Sequence, residues 1–302
     1  MGVIDSAFLR QLDRLRVRVR TARGVRPGET HIPRSTQAWG IEFESYKEYS
    51  PGDDFRYVDW NAVGRLNQLV VRTFTAEREI PYYVFLDTSA SMGAPVVDHK
   101  FTFASDLATA LGYVIVNNND PLHLVALTAS EHGQLPFRLA PVLRHRSQFS
   151  RLPTFLTTLT PHGKTYLREA LRSYAEQTRE PGVAVIISDF LLDAPLYEEA
   201  LLLLKARGYE VKVVRILGAT ELSPEQLFRR GKLYDVEDGR ERWISLSTAH
   251  LQQYLDALQA HLAALQDFCH RHQILHAQVT TNTDLATVVS EEFTRAGLLA
   301  FR

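Results

Sequence analysis

Between residues 82 and 217 the chain alternates short apolar runs with amphipathic stretches, and that alternation leaves few folds open. The runs 82–86, 122–127, 183–188 and 210–217 have strand length and are largely apolar, as strands buried on both faces are. Between them, 100–116 carries Phe103, Leu107, Ala110, Leu111 and Val114 at helical spacing. Segments 148–159 and 166–177 also read as helices, and 196–206 as one closed by Gly208. Segment 134–139, broken by Pro136, reads as a short edge strand. A series of this kind predicts a Rossmann-like α/β fold, a mostly parallel, doubly wound sheet with helices on both faces.

The flanks read differently. Segments 232–236 and 241–246, parted by an Asp238-Gly239 turn, predict a hairpin. Ser247 or Thr248 then caps a long helix whose stripe is Leu251, Leu255, Leu258, Leu262, Leu265 and Cys269. Segment 274–279 returns as the last strand of the sheet, and Asp284 caps a final helix through Val288, Phe293 and Leu298. Residues 1–80 stand outside the alternation. There, 7–15 is an amphipathic helix, while 40–49 and 69–76 read as strands connected through the turn Ser50-Pro51-Gly52-Asp53. The expected organisation is an N-terminal helix and small β element over 1–80, followed by an α/β domain over 81–302.

Charge narrows the function. A net charge of -1 over 302 residues provides no overall field toward nucleic acid or anionic lipid. The first forty residues hold eight arginines against Asp5, Asp13 and Glu29, a pattern read as a solvated helix face rather than a nucleic-acid surface. The single Cys269 excludes an intramolecular disulfide and a cysteine-rich zinc site, and fits a reducing cytosol. His270, His272 and His276 beside it read as surface histidines. The most apolar stretches are too short to span a bilayer, and the N-terminus lacks the long apolar segment of a secretory leader. The expectation is a cytoplasmic protein with no nucleic-acid partner and no integral membrane segment.

The chemistry gathers where the first apolar run ends, in Asp87-Thr-Ser-Ala-Ser91. In extended geometry Asp87, Ser89 and Ser91 share a face, and three hard oxygen donors suit Mg²⁺. The competing reading is a turn whose serine caps the next helix. Two later segments carry Thr165 and Asp189, each after a strand or in a loop before a helix, where open α/β sheets bind ligands. Gly163-Lys164-Thr165 is not a phosphate loop, which would require glycine at position 158, where Thr158 stands. A phosphatase with an aspartate nucleophile would want an acid two residues after Asp87, but Ser89 stands there. Neither G-x-S-x-G nor H-E-x-x-H occurs.

One block is more specific. The run Glu42-Phe-Glu-Ser-Tyr-Lys-Glu-Tyr-Ser-Pro-Gly-Asp-Asp-Phe-Arg-Tyr-Val-Asp-Trp60 continues through Gly64-Arg65 to Glu77 and into Leu86-Asp-Thr-Ser-Ala-Ser-Met92. Together with Ile187-Ser-Asp-Phe190, it resembles domain-of-unknown-function family fifty-eight, most strongly over 37–110. That bacterial family carries a von Willebrand factor A-like domain and is typically encoded beside MoxR-type AAA+ ATPases. The resemblance implies a metal-ion-dependent adhesion site formed by Asp87, Ser89, Ser91, Thr165 and Asp189. In such a site the hydroxyls bind Mg²⁺, or alternatively Mn²⁺ or Ca²⁺, while the carboxylates act largely through coordinated water. A partner's carboxylate then completes the octahedron. Lys164 departs from the family, which has a small residue before the threonine. The implied role is a non-enzymatic adaptor whose partner is a MoxR-type AAA+ ATPase or its client; the alternative is a Mg²⁺-dependent phosphohydrolase using the same pocket. Asp53, Asp54, Arg56 and Asp59 are expected to fix a turn, with Trp60 packed inward.

Overall fold

The computed structural model describes residues 6–19, 41–51, 53–66, 68–76, 79–129, 135–164, 166–178, 180–226, 230–234, 240–245 and 247–301. By contact the chain forms two units, Met1–Arg20 with Ile80–Arg302, and Thr21–Glu79. The described strands are β1 (Leu15–Val17), β2 (Ile41–Glu48), β3 (Val70–Ala76), β4 (Tyr82–Asp87), β5 (Leu122–Leu127), β6 (Phe137–Leu139), β7 (Val183–Ser188), β8 (Glu210–Leu217), β9 (Arg230–Tyr234), β10 (Glu241–Ser245), β11 (Leu275–Thr280) and β12 (Leu299–Phe301).

The larger unit is built on a six-stranded sheet of order β11-β8-β7-β4-β5-β6, parallel except for β6 at one edge. Alternate residues of β4 enter opposite cores, as strand geometry requires. Tyr83 and Phe85 join the cluster that includes residues of helices Leu167–Gln177, Ala194–Ala206 and Thr248–Arg271. Tyr82, Val84 and Leu86 join the one shared with helix Lys100–Asn117. Burying each large apolar side chain stabilises by about 1.5–3 kcal/mol. Exposed ion pairs give under about 1 kcal/mol each. The two apolar layers therefore hold this unit together.

The N-terminal helix ends at Leu12, short of the expected residue 15, because Leu15 begins a strand instead. β1 pairs antiparallel with β12, so Leu15 and Val17 are buried and Arg16 faces outward. Tyr113 Oη donates to Asp13 at 2.7 Å, and buried Lys212 on β8 donates to the Arg18 carbonyl. These contacts group the N-terminal helix with residues from 80 onward rather than with the small β element. The helix expected over 148–159 shrinks to Arg151–Leu156, preceded by a 3-10 turn at Arg146–Gln148. β9 and β10 form the expected hairpin, although Asp238 and Gly239 lie outside the described residues. Ser247 caps the long helix by accepting the His250 N–H, and Asp284 accepts from Ala286 and Thr287. His276 is not a surface histidine. It lies on β11 with Nε2 buried and, among the described residues, unpartnered, and burial, helped by Arg215, pushes its pKa down to about 4.

In the smaller unit β2 and β3 pair antiparallel, with a register shift between Phe43 and Ser45. Asp53 accepts from Ser50 N at 2.8 Å and Lys47 Nζ at 2.9 Å, and Asp54 pairs with Arg56. The inward position falls to Asp59, 5% exposed, which accepts from Tyr46 Oη and from the N–H groups of Asn61 and Ala62. Trp60 does not pack inward. It opens the helix Trp60–Leu66 and is 65% exposed, because the buried carboxylate before it satisfies the helix start.

Candidate metal centre

Strand order reverses at the β4/β7 boundary: β5 and β6 follow on one side of β4, and β7, β8 and β11 on the other. Such a switch point opens a crevice at the carboxyl ends of the strands. Asp87 ends β4 and Asp189 follows β7; Leu86, one residue before Asp87, pairs with Ile187, two residues before Asp189. Both carboxylates are buried.

Asp87 organises the loop. Its Oδ1 accepts the Ser89 N–H at 2.9 Å, and its Oδ2 accepts Ser188 Oγ at 2.6 Å. Ser188 Oγ in turn accepts the Phe190 N–H, so one hydroxyl links the ends of two neighbouring strands. Ser89 stands at the N-cap of the 3-10 turn Ala90–Gly93, yet its hydroxyl makes no capping bond. That removes the ordinary reason for a serine there. Instead Ser89 Oγ and Ser91 Oγ share a hydrogen bond at 2.9 Å. Two ligands on adjacent corners of a Mg²⁺ octahedron, each about 2.1 Å from the ion, would be about 2.9–3.0 Å apart.

The loop before Thr165 packs against the same turn. His162 N donates to the Thr88 carbonyl and Ala90 N to the Gly163 carbonyl, each at 2.9 Å. Thr165 itself lies outside the described residues. Asp189 is placed differently from the rest. Its Oδ2 accepts Lys100 Nζ at 3.0 Å and its Oδ1 accepts the Leu191 N–H at 3.2 Å. Lys100 also donates to Glu221 Oε1 at 2.6 Å, while Glu221 Oε2 accepts the Gly218 N–H. Burial works against the Lys100 ammonium, but the charges and hydrogen bonds of Asp189 and Glu221 outweigh it and raise its pKa. A second buried cation, Arg215, sits opposite Ser188 in register; burial pulls it down to about 10 while Asp189 pushes back.

The donor set fits a hydroxyl-ligated divalent ion. Every oxygen of Asp87 and Asp189 already accepts a hydrogen bond. Neutral Ser89 and Ser91 are thus the direct donors on offer, and the carboxylates are suited to act through water. Among the described residues no group of three or more His, Cys, Asp or Glu could hold a metal, so the hydroxyls carry the case. Ser188, Lys100 and Glu221 were not singled out from sequence. Lys100 had a signal, since it falls on the helical stripe of Ala104, Leu107 and Leu111, where a charge must find a buried partner.

Residues 45–264 match the family described as protein of unknown function DUF58. The chain belongs to that family. A DUF58 relative, the uncharacterised protein Rv1480 of Mycobacterium tuberculosis, is 30% identical over 232 residues, covering 74% of this chain and 69% of its own. Mb1516 of Mycobacterium bovis, also uncharacterised, matches to the same extent. Among solved structures, the conserved hypothetical protein BatB of Bacteroides thetaiotaomicron is 14% identical with a TM-score of 0.43, over 72% of this chain and 98% of that one. A von Willebrand factor type A protein of Catenulispora acidiphila is 13% identical with a TM-score of 0.40, over 76% and 44%. No helix among the described residues of this DUF58 chain is long and apolar enough to cross a membrane.

Proposed function

We propose that this DUF58 chain is a Mg²⁺-dependent adaptor that captures an acidic side chain of a partner protein. Ser89 and Ser91 would hold the ion through their hydroxyl oxygens, Thr165 would add a third, and Asp87 and Asp189 would orient coordinated waters. When bound, Mg²⁺ supplies an electrophilic coordination position that a carboxylate can fill. Mn²⁺ or Ca²⁺ would suit the same oxygens. The observation that carries this reading is the hydroxyl pair 2.9 Å apart beside carboxylates already committed to other donors. Neutral direct ligands leave the cation's charge available to the partner, which is binding chemistry.

The same commitments argue for a role without catalysis. A phosphohydrolase would need Asp87 free to attack, but Ser89 N–H and Ser188 Oγ hold its two oxygens. The family resemblance supports a MoxR-type AAA+ ATPase or its client as the partner, and the one cysteine, buried and unpaired, fits a cytoplasmic setting. The test is a pull-down with the purified chain as bait. Capture of the ATPase with Mg²⁺, release by EDTA and loss in Ser89→Ala support the proposal. Equal capture by Ser89→Ala and in EDTA overturns it, and phosphate release from p-nitrophenyl phosphate that Asp87→Ala abolishes would replace it with the phosphohydrolase.

A further inference from the structure

The ion triad beside the metal centre puts a resident cation on one of the candidate ligands. Lys100 opens the helix Lys100–Asn117 with its side chain buried. Its ammonium donates to Asp189 Oδ2 at 3.0 Å and to Glu221 Oε1 at 2.6 Å, so two carboxylates share it. The two are anchored differently. Asp189 directly follows Ser188, whose hydroxyl bonds Asp87, so its carboxylate belongs to the strand ends that carry the candidate ligands. Glu221 stands on the turn after β8, where its Oε2 accepts the Gly218 N–H and neighbouring Thr220 N donates to Asp98. Lys100 thus has one anchor at the candidate centre and a second on a separate turn fixed by its own hydrogen bonds.

An ammonium and a divalent ion ask Asp189 for the same thing, its negative charge. A positive charge already seated on a buried carboxylate lowers what that carboxylate offers a second cation, and burial leaves the repulsion little screened. Arg215, fully buried and opposite Ser188 in register, acts on Asp189 in the same direction. Glu221 acts in the other, because it takes a share of the ammonium. Resting on the adaptor reading, we infer that Lys100 is a resident counter-ion that sets how tightly the centre holds its divalent ion, and that Glu221 is the acceptor onto which the ammonium draws when the ion binds. Lys100 is a positioning residue and not a ligand, since an ammonium has three donors and no lone pair to give a metal. The exchange needs no opening of the core, because the ammonium already touches both acceptors.

The test is Mn²⁺ titration of the full chain at pH 7, read by electron paramagnetic resonance, beside the Lys100→Met and Glu221→Gln variants. The urea midpoint of each variant checks that it is folded under the titration conditions. Outer partners of metal ligands change affinity by about 10–100-fold. At the lower end of that range, Lys100→Met should bind Mn²⁺ about tenfold tighter than wild type, and Glu221→Gln about tenfold weaker. Loosened packing alone would weaken both, so the opposite signs separate a charge effect from a structural one. Equal or weaker binding by folded Lys100→Met overturns the inference, as does unchanged or tighter binding by Glu221→Gln. Saturable binding absent from both the wild-type and the Lys100→Met chains overturns the metal reading beneath it, which separates the two failures.

Discussion

Lys100→Met asks whether the buried ion triad holds the site together. Lys100, Asp189 and Glu221 have side chains 1%, 3% and 12% exposed, so water cannot replace the ammonium once it is gone. Methionine keeps most of the stem's packing and deletes the charge. Removing one partner of a buried pair costs about 3–5 kcal/mol, against about 0.2–1 kcal/mol for an exposed pair. A domain with a total stability of about 5–15 kcal/mol should still fold. The assay is urea unfolding, read as a lower midpoint at unchanged slope. The pH dependence fixes the mechanism. Lys100 has its folded pKa raised above the ordinary 10.5, so its stabilisation is fully present below that pH and is lost only as pH rises through the folded value. In the variant, Glu221 loses the Lys100 charge and hydrogen bond that hold its pKa down, and its folded pKa rises further. The penalty is therefore largest near neutral pH and shrinks as acid protonates Glu221 in the folded state. Glu221 starts from a pKa that burial already raises. A loss under about 1 kcal/mol at pH 7, or one that does not change with pH, would refute the reasoning.

Other substitutions probe neighbouring links. Gly218→Ala places a Cβ 2.0 Å from Asp98 Oδ2, against a carboxylate fixed by Thr220, and should destabilise by about 1–3 kcal/mol in the same unfolding assay. Ser188→Ala frees Asp87 Oδ2 and should weaken Mn²⁺ binding about 10–100-fold, measured by calorimetric titration. Trp60→Ala, at a 65% exposed position, should shift stability by no more than about 0.5 kcal/mol.

Legibility followed locality. The runs 122–127 and 183–188 coincide with β5 and β7 because a buried parallel strand writes itself as a continuous apolar run between turn residues. Asp87, Ser89 and Ser91 were readable for the same reason, since they lie within one turn of a strand end. What escaped depends on distant partners. β1 is three residues that become a strand only against β12, and Asp13 and Arg18 dock on Tyr113 and Lys212 far along the chain. Lys100 meets Asp189 and Glu221 from three separate segments of the chain, and no local period encodes that meeting. Trp60 misled because hydrophobicity suggested an inward ring, whereas a buried aspartate one residue earlier decided which side faced in.

The claim that Ser89 and Ser91 hold a divalent ion is tested most directly by Mn²⁺ titration followed by electron paramagnetic resonance. The expected result is one saturable site, displaced by Mg²⁺, lost in Ser89→Ala and retained in Trp60→Ala. No saturable binding by the wild-type chain, or a Ser89→Ala curve that overlays it, would contradict the claim.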